Sequence, residues 1–191
     1  QAAHCAEVVG PAVWAAVPYS TYYSDAGYFA PLQCRWDLVP RLDLRGNSGA
    51  PPTADVLLLF ENLEELDLSG TDGLTDFDPR ILLLPKLKTV RLVDTPVAAE
   101  LDWSNRGLTA LPPMTHAVFG ETLKRFVLRG NELTAVPSWT ATVDMLDLRN
   151  NTLAEDGVPF GVVAGVGELL KGVPELALGG LGLHFGGRMP N

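Results

Sequence analysis

The sequence predicts an α/β solenoid, a right-handed curved coil with short parallel strands on its concave side and an irregular or short-helical convex side. Three observations predict it. A spacing of Leu-x-x-Leu-x-Leu-x-x-Asn-x-Leu recurs, most cleanly from Leu123 to Leu133 and from Val143 to Leu153. Self-similarity at a period of about 20 to 29 residues marks stacked repeats rather than a closed core. Within each copy Leu-x-Leu alternates inward and outward, as a short strand must. Inward leucines then stack from coil to coil, and the Asn belongs at the buried turn only if its amide is hydrogen-bonded, since an unpaired buried amide costs on the order of 1–3 kcal/mol.

The elements follow in order. Residues 1–38 precede the first copy and are assigned to an N-terminal cap. Residues 39–172 hold the repeats, with copies starting at Val39, Leu63, Leu87, Leu123 and Val143. Asn47, Asn131 and Asn151 occupy the Asn position, whereas Thr71 and Thr95 replace it in the second and third copies. Thr still donates and accepts there but reaches less far. Asp78-Pro79-Arg80-Ile81-Leu82-Leu83-Leu84 reads as a short convex helix, with Asp78 as N-cap and Pro79 in the first turn. The step from Leu87 to Leu123 is too long for one ordinary coil and contains a repeat-like segment, Ala98 to Pro112. That segment starts only 11 residues after Leu87, which is too few for a full coil. Either one of the two is not a true coil or a loop is inserted; one enlarged coil is preferred, because Leu87 and Leu123 head the better strands. Leu108-Thr109-Ala110-Leu111-Pro112 and Leu133-Thr134-Ala135-Val136-Pro137 are near-duplicates and read as the same outward bend, ended by Pro. Val158 to Leu170 reads as a second helix weakened by Gly161, Gly165 and Gly167. Residues 173–191 form a capping repeat and tail, with Leu181 at the Asn position; terminal repeats are atypical.

The chain from Val39 to Leu183 resembles the leucine-rich-repeat family on these motifs. Just before the first copy, Cys34-Arg35-Trp36-Asp37-Leu38-Val39 is similar to the N-terminal cap of plant-type extracellular repeats, Cys-x-Trp-x-Gly-Val-x-Cys. Cys34, Trp36 and Val39 match; Leu38 stands for the Gly and Arg41 for the second Cys. Cys5 and Cys34 are the two cysteines of the chain, and both precede the repeats. An even pair flanking a cap reads as one disulfide, stabilising by about 3–4 kcal/mol in the chain-entropy model. The alternative is a pair of buried free thiols in a reducing compartment. Asn150-Asn151-Thr152 is an N-glycosylation sequon, with Asn150 the outward neighbour of the ladder residue Asn151. The start at Gln1 reads as a processed or excised chain. The resemblance implies a secreted or cell-surface protein.

Composition narrows the function. A net charge of −9 argues against sequence-independent nucleic-acid binding, which needs a basic face. No run of 18 or more apolar residues is present, so no transmembrane span is expected. His4, His116 and His184 lie far apart, and no metalloprotease, nucleophile-elbow or phosphate-loop motif occurs. Gly161 to Gly167 is Gly-rich, but its spacing suits close packing rather than a phosphate. The reading is therefore non-catalytic, with no cofactor and no metal. Asp43, Asp67, Asp102 and Asp147 share one repeat position, the solvent-facing x of Leu-x-Leu.

Function is expected on the concave face. The partner-binding candidates are Lys88, Arg91, Lys124, Arg125, Val127, Arg129, Met145, Asp147 and Arg149. Lys88, Arg91, Lys124, Arg125 and Arg129 read as a basic centre on an acidic protein, suited to an acidic patch or anionic group on another protein. The competing reading is cross-strand charge pairing, such as Asp67 with Arg91. Tyr19, Tyr22, Tyr23, Tyr28 and Phe29 form a second candidate surface, or a cover over the open end of the first coil. The resemblance thus implies an extracellular protein-binding domain, such as a receptor ectodomain. The alternatives are a structural subunit of an extracellular assembly, and a secreted inhibitor or carbohydrate-binding protein. Carbohydrate binding needs an exposed concave aromatic, and Trp103 is the candidate.

Overall fold

The computed structural model describes residues 7–16, 36–48, 50–135, 138–152 and 172–178. Among them run β1 (Arg41–Asp43), β2 (Glu65–Asp67), β3 (Thr89–Arg91), β4 (Glu100–Asp102), β5 (Arg125–Val127), β6 (Met145–Asp147) and β7 (Glu175–Ala177). Every pairing is parallel, and the register sets repeat positions side by side: Arg41, Glu65 and Thr89 in one ladder, Glu100, Arg125, Met145 and Glu175 in the other.

The expectation of one curved coil with all strands in a single concave sheet is overturned. The strands form two parallel sheets, a three-stranded β1-β2-β3 and a four-stranded β4-β5-β6-β7, in an α/β arrangement with few helical residues. The preferred reading of residues 87–122 as one enlarged coil fails for the same reason, because Glu100–Asp102 is a strand of its own. Chain length supplies the cause. A parallel neighbour needs a crossover of about a dozen residues or more. β3 ends at Arg91 and β4 begins at Glu100, leaving only the eight residues 92–99 between them. By contrast, 21 residues (44–64) separate β1 from β2, and 17 (128–144) separate β5 from β6. The short connection holds a four-residue helix, Pro96–Ala99, and β4 opens a new ladder. The chain divides correspondingly into two compact units, Gln1–Ala98 with Pro112–Met114, and Ala99–Leu111 with Thr115–Asn191.

In the first unit the middle residues of the strands, Leu42, Leu66 and Val90, stack through the register and are buried. Val39, Leu63 and Leu87 are buried before the strands, and Leu44, Leu68 and Leu92 after them. Each such side chain contributes about 1.5–3 kcal/mol of burial. A 3-10 turn at Trp36–Leu38 opens the unit's repeats, and Trp36 packs on Phe60 with ring centroids 5.5 Å apart. The expected helix after Asp78 is a 3-10 turn, Pro79–Leu83. Asp78 caps it by accepting from the Arg80 amide at 2.9 Å, and Pro79 sits where an N–H has no helical partner.

In the second unit Leu101, Phe126 and Leu146 fill the middle row and are buried. Trp103, Leu128 and Leu148 follow the strands in the core. Trp103 meets Phe126 and Phe119 edge-on, at 5.5 and 5.9 Å. The Asn ladder is present here. Asn131 Nδ2 donates to the carbonyls of Trp103 and Leu128, and its Oδ1 accepts from the amides of Arg106 and Leu108, all within 3.0 Å. Asn151 Nδ2 likewise donates to Leu128 and Leu148, and its Oδ1 accepts from Leu133. The near-duplicate bends also match: the Leu108 carbonyl accepts from Glu132 N, and the Leu133 carbonyl from Thr152 N.

Cys5 and Cys34, Tyr19 to Phe29, His4, His184, Val158 to Leu170 and Leu181 lie outside the described residues. No helix among the described residues is long and apolar enough to cross a membrane.

Candidate interaction surface

The exposed row of each sheet is positioned by turn chemistry at the strand ends. The recurrent Asp of Leu-x-Leu bends back, and its Oδ1 accepts the amide two residues on. Asp43 takes Arg45 N at 3.3 Å, Asp67 takes Ser69 N at 3.1 Å, Asp102 takes Ser104 N at 2.8 Å and Asp147 takes Arg149 N at 3.1 Å. This is an Asx turn. The residue after that amide turns left-handed in each of these four copies, and so does the matching residue of the copies that start at Leu87 and Leu123: Gly46 (φ 63°), Gly70 (70°), Asn105 (55°) and Asn150 (55°), with Asp94 (57°) and Gly130 (70°). Gly, Asn and Asp are the residues that tolerate this region. The chain then enters the next bend.

In the first unit the sheet's cations are matched to carboxylates. Arg41 pairs across strands with Glu65 at 2.7 Å, and Lys88 with Glu64 at 2.7 Å. Arg45 holds Asp43 through two short hydrogen bonds of 2.8 and 2.6 Å and also approaches Asp67 at 3.9 Å. Arg91 lies 3.9 Å from Asp67. The guanidinium of Arg45 holds the Asp43 carboxyl below its ordinary range, and the Lys88 ammonium does the same for Glu64. Exposed pairs like these contribute from nothing to about 1 kcal/mol each. The cross-strand pairing reading therefore describes Lys88 and Arg91.

The second unit differs. Lys124, Arg125 and Arg129 are exposed, and none of them makes an ion pair among the described residues. Arg125 sits in register between Glu100 and Met145 without a hydrogen bond to either. Arg149 is held by Asp147 through hydrogen bonds from Nε at 2.9 Å and from a terminal nitrogen. That bond, and secondarily the Arg149 amide and the charges of Arg149 and Arg129, hold the Asp147 carboxyl below its ordinary range despite the opposing effect of burial.

Three expectations about individual side chains are corrected. Val127 and Asp147, placed in the outward row, are buried, at 8% and 4% exposure. Val127 ends β5 beside Asp147 in register, and Asp147 folds down onto its own turn. Trp103, the candidate exposed aromatic, has no exposed surface, because it takes the inward Leu position after Leu101-Asp102. Met145 is half-buried and Arg149 exposed. Of the basic centre, Lys124, Arg125 and Arg129 share the second unit, while Lys88 and Arg91 belong to the first.

Sequence reasoning missed one arrangement. His116, read as isolated, stacks on Trp139 with centroids 5.3 Å apart, and Trp139 stacks in turn on Phe126 at 6.2 Å. The two residues are 23 positions apart, in a helix (Thr115–Phe119) and a 3-10 turn (Ser138–Thr142), so no local pattern announces the contact. Compared with protein-family models and with curated proteins, the chain matches none.

Proposed function

We propose that this chain is an extracellular, non-catalytic protein-binding module of leucine-rich-repeat kinship, and that it contacts an acidic patch on another protein. The kinship rests on the matched repeat motif and on Asn131 and Asn151, whose amides bind the backbone of neighbouring repeats. The contact is assigned to the exposed side of β5. The observation that carries it is the contrast between the units: Arg41, Arg45, Lys88 and Arg91 have carboxylates within 4.0 Å, whereas Lys124, Arg125 and Arg129 have none among the described residues. Exposed cations without an ion-pair partner within 4.0 Å among the described residues, on a protein of charge −9, steer an anionic partner and disfavour others. A secreted or cell-surface location follows from the cap resemblance and the cysteine pair.

The test is charge reversal. In Lys124→Glu with Arg125→Glu, affinity for the partner purified from the native source falls roughly tenfold or more. Melting temperature stays nearly unchanged, because neither side chain is buried. Unaltered binding removes the assignment.

A further inference from the structure

We infer that Asn150 is the chain's acceptor for an N-linked oligosaccharide. Asn150-Asn151-Thr152 is the one Asn-x-Ser/Thr sequence among 191 residues. The structure separates its two asparagines. Asn151 is buried, at 3% exposure, and its amide is used three ways in the ladder. Asn150 is exposed, and its amide makes no hydrogen bond among the described residues. It occupies the left-handed turn position, where glycine stands in three other repeats, and its own side chain is exposed to solvent. Thr152, the hydroxyl residue the sequon requires, lies on the same bend and donates to the Leu133 carbonyl at 3.2 Å.

The step is a displacement. The side-chain nitrogen of Asn150 attacks the anomeric carbon of a lipid-pyrophosphate-linked oligosaccharide. A carbon–nitrogen bond forms, the carbon–oxygen bond to pyrophosphate breaks, the lipid pyrophosphate leaves, and the amide proton passes to the transferase. Because Gly130 N donates to the Arg149 carbonyl, the sugar stands beside the turn that follows β5. It thus borders the Lys124, Arg125 and Arg129 face on its turn side. This inference shares with the proposed function only the extracellular location.

The full chain, directed into the secretory pathway of a glycosylating eukaryotic cell, tests it. The expected secreted product carries added mass that an amide-cleaving glycosidase removes, converting Asn150 to Asp in the peptide map. Asn150→Gly, which keeps the turn, lacks the added mass, and Thr152→Ser retains it. Secreted wild-type chain with unmodified Asn150 overturns the inference, whatever the variants do. A modified recombinant chain alongside an unmodified native one leaves the acceptor standing and counts against the extracellular reading instead.

Discussion

Asn131 and Thr71 occupy the same repeat position and hold it in different ways. Asn131 satisfies four backbone groups across two repeats. The Thr71 hydroxyl is buried and finds no partner among the described residues. Each abandoned buried group costs on the order of 1–3 kcal/mol. Asn131→Ala is therefore expected to destabilise the chain by roughly 3 kcal/mol or more in chemical denaturation. Thr71→Ala loses no hydrogen bond and is expected to change stability by less than about 1 kcal/mol. Equal losses at the two sites contradict the ladder. Asp147 makes a second residue-scale case. Its carboxyl is held below the ordinary range in the folded chain, so the unfolded chain binds the extra proton first as pH falls. Its contribution is present above the unfolded-state pKa and is lost as pH drops through the depressed folded value. Asp147→Asn should then cost about 1–2 kcal/mol at neutral pH and flatten the acid limb of the stability profile. An unchanged acid limb removes this account. The recurrent Asp was visible in the sequence, but its role was not. Alternation places it toward solvent, and only the turn geometry shows the side chain folding back to the amide two residues on.

At the scale of elements, six of the strands were legible, while β4 and the assembly of the strands were not. The Leu-x-Leu centres Leu42, Leu66, Val90, Phe126, Leu146 and Leu176 all fall in strands, because apolar alternation is local. Pairing depends on the length of the connection. The eight residues after β3 are too few for a parallel return; in the sequence that shortness counted against a separate coil, whereas the chain starts a second sheet there. The turn position is a further shared element. Gly130 has φ 70°, and a Cβ there runs into the Asn105 side chain. Left-handed backbone costs an ordinary L-residue about 1–2 kcal/mol, so Gly130→Ala should lower stability by at least that much. Ala at Gly46, where a Cβ meets open space, should cost less. Thermal melts of the two variants check the order; a Gly46→Ala loss equal to the Gly130→Ala loss contradicts it.

At the scale of the whole chain, net charge and repeat spacing led to the expectation of a presenting surface, with Lys124 and Arg125 among its candidates. Charge composition cannot say which cations are neutralised, because pairing is set by register. Glu65 beside Arg41, and Glu64 within reach of Lys88, form ion pairs in the first sheet; Arg125 of β5 has Glu100 beside it in register but makes no ion pair with it. Two ladders thus carry similar motifs and unlike faces. The most direct measurement is titration of the native partner against wild type, Lys124→Glu with Arg125→Glu, and Arg41→Glu with Lys88→Glu, at low and at physiological salt. The β5 pair should lose roughly tenfold or more in affinity and most of the salt dependence, while the first-sheet pair binds nearly as wild type. Equal affinity for wild type and the β5 pair, or a larger loss from the first-sheet pair, contradicts the assignment.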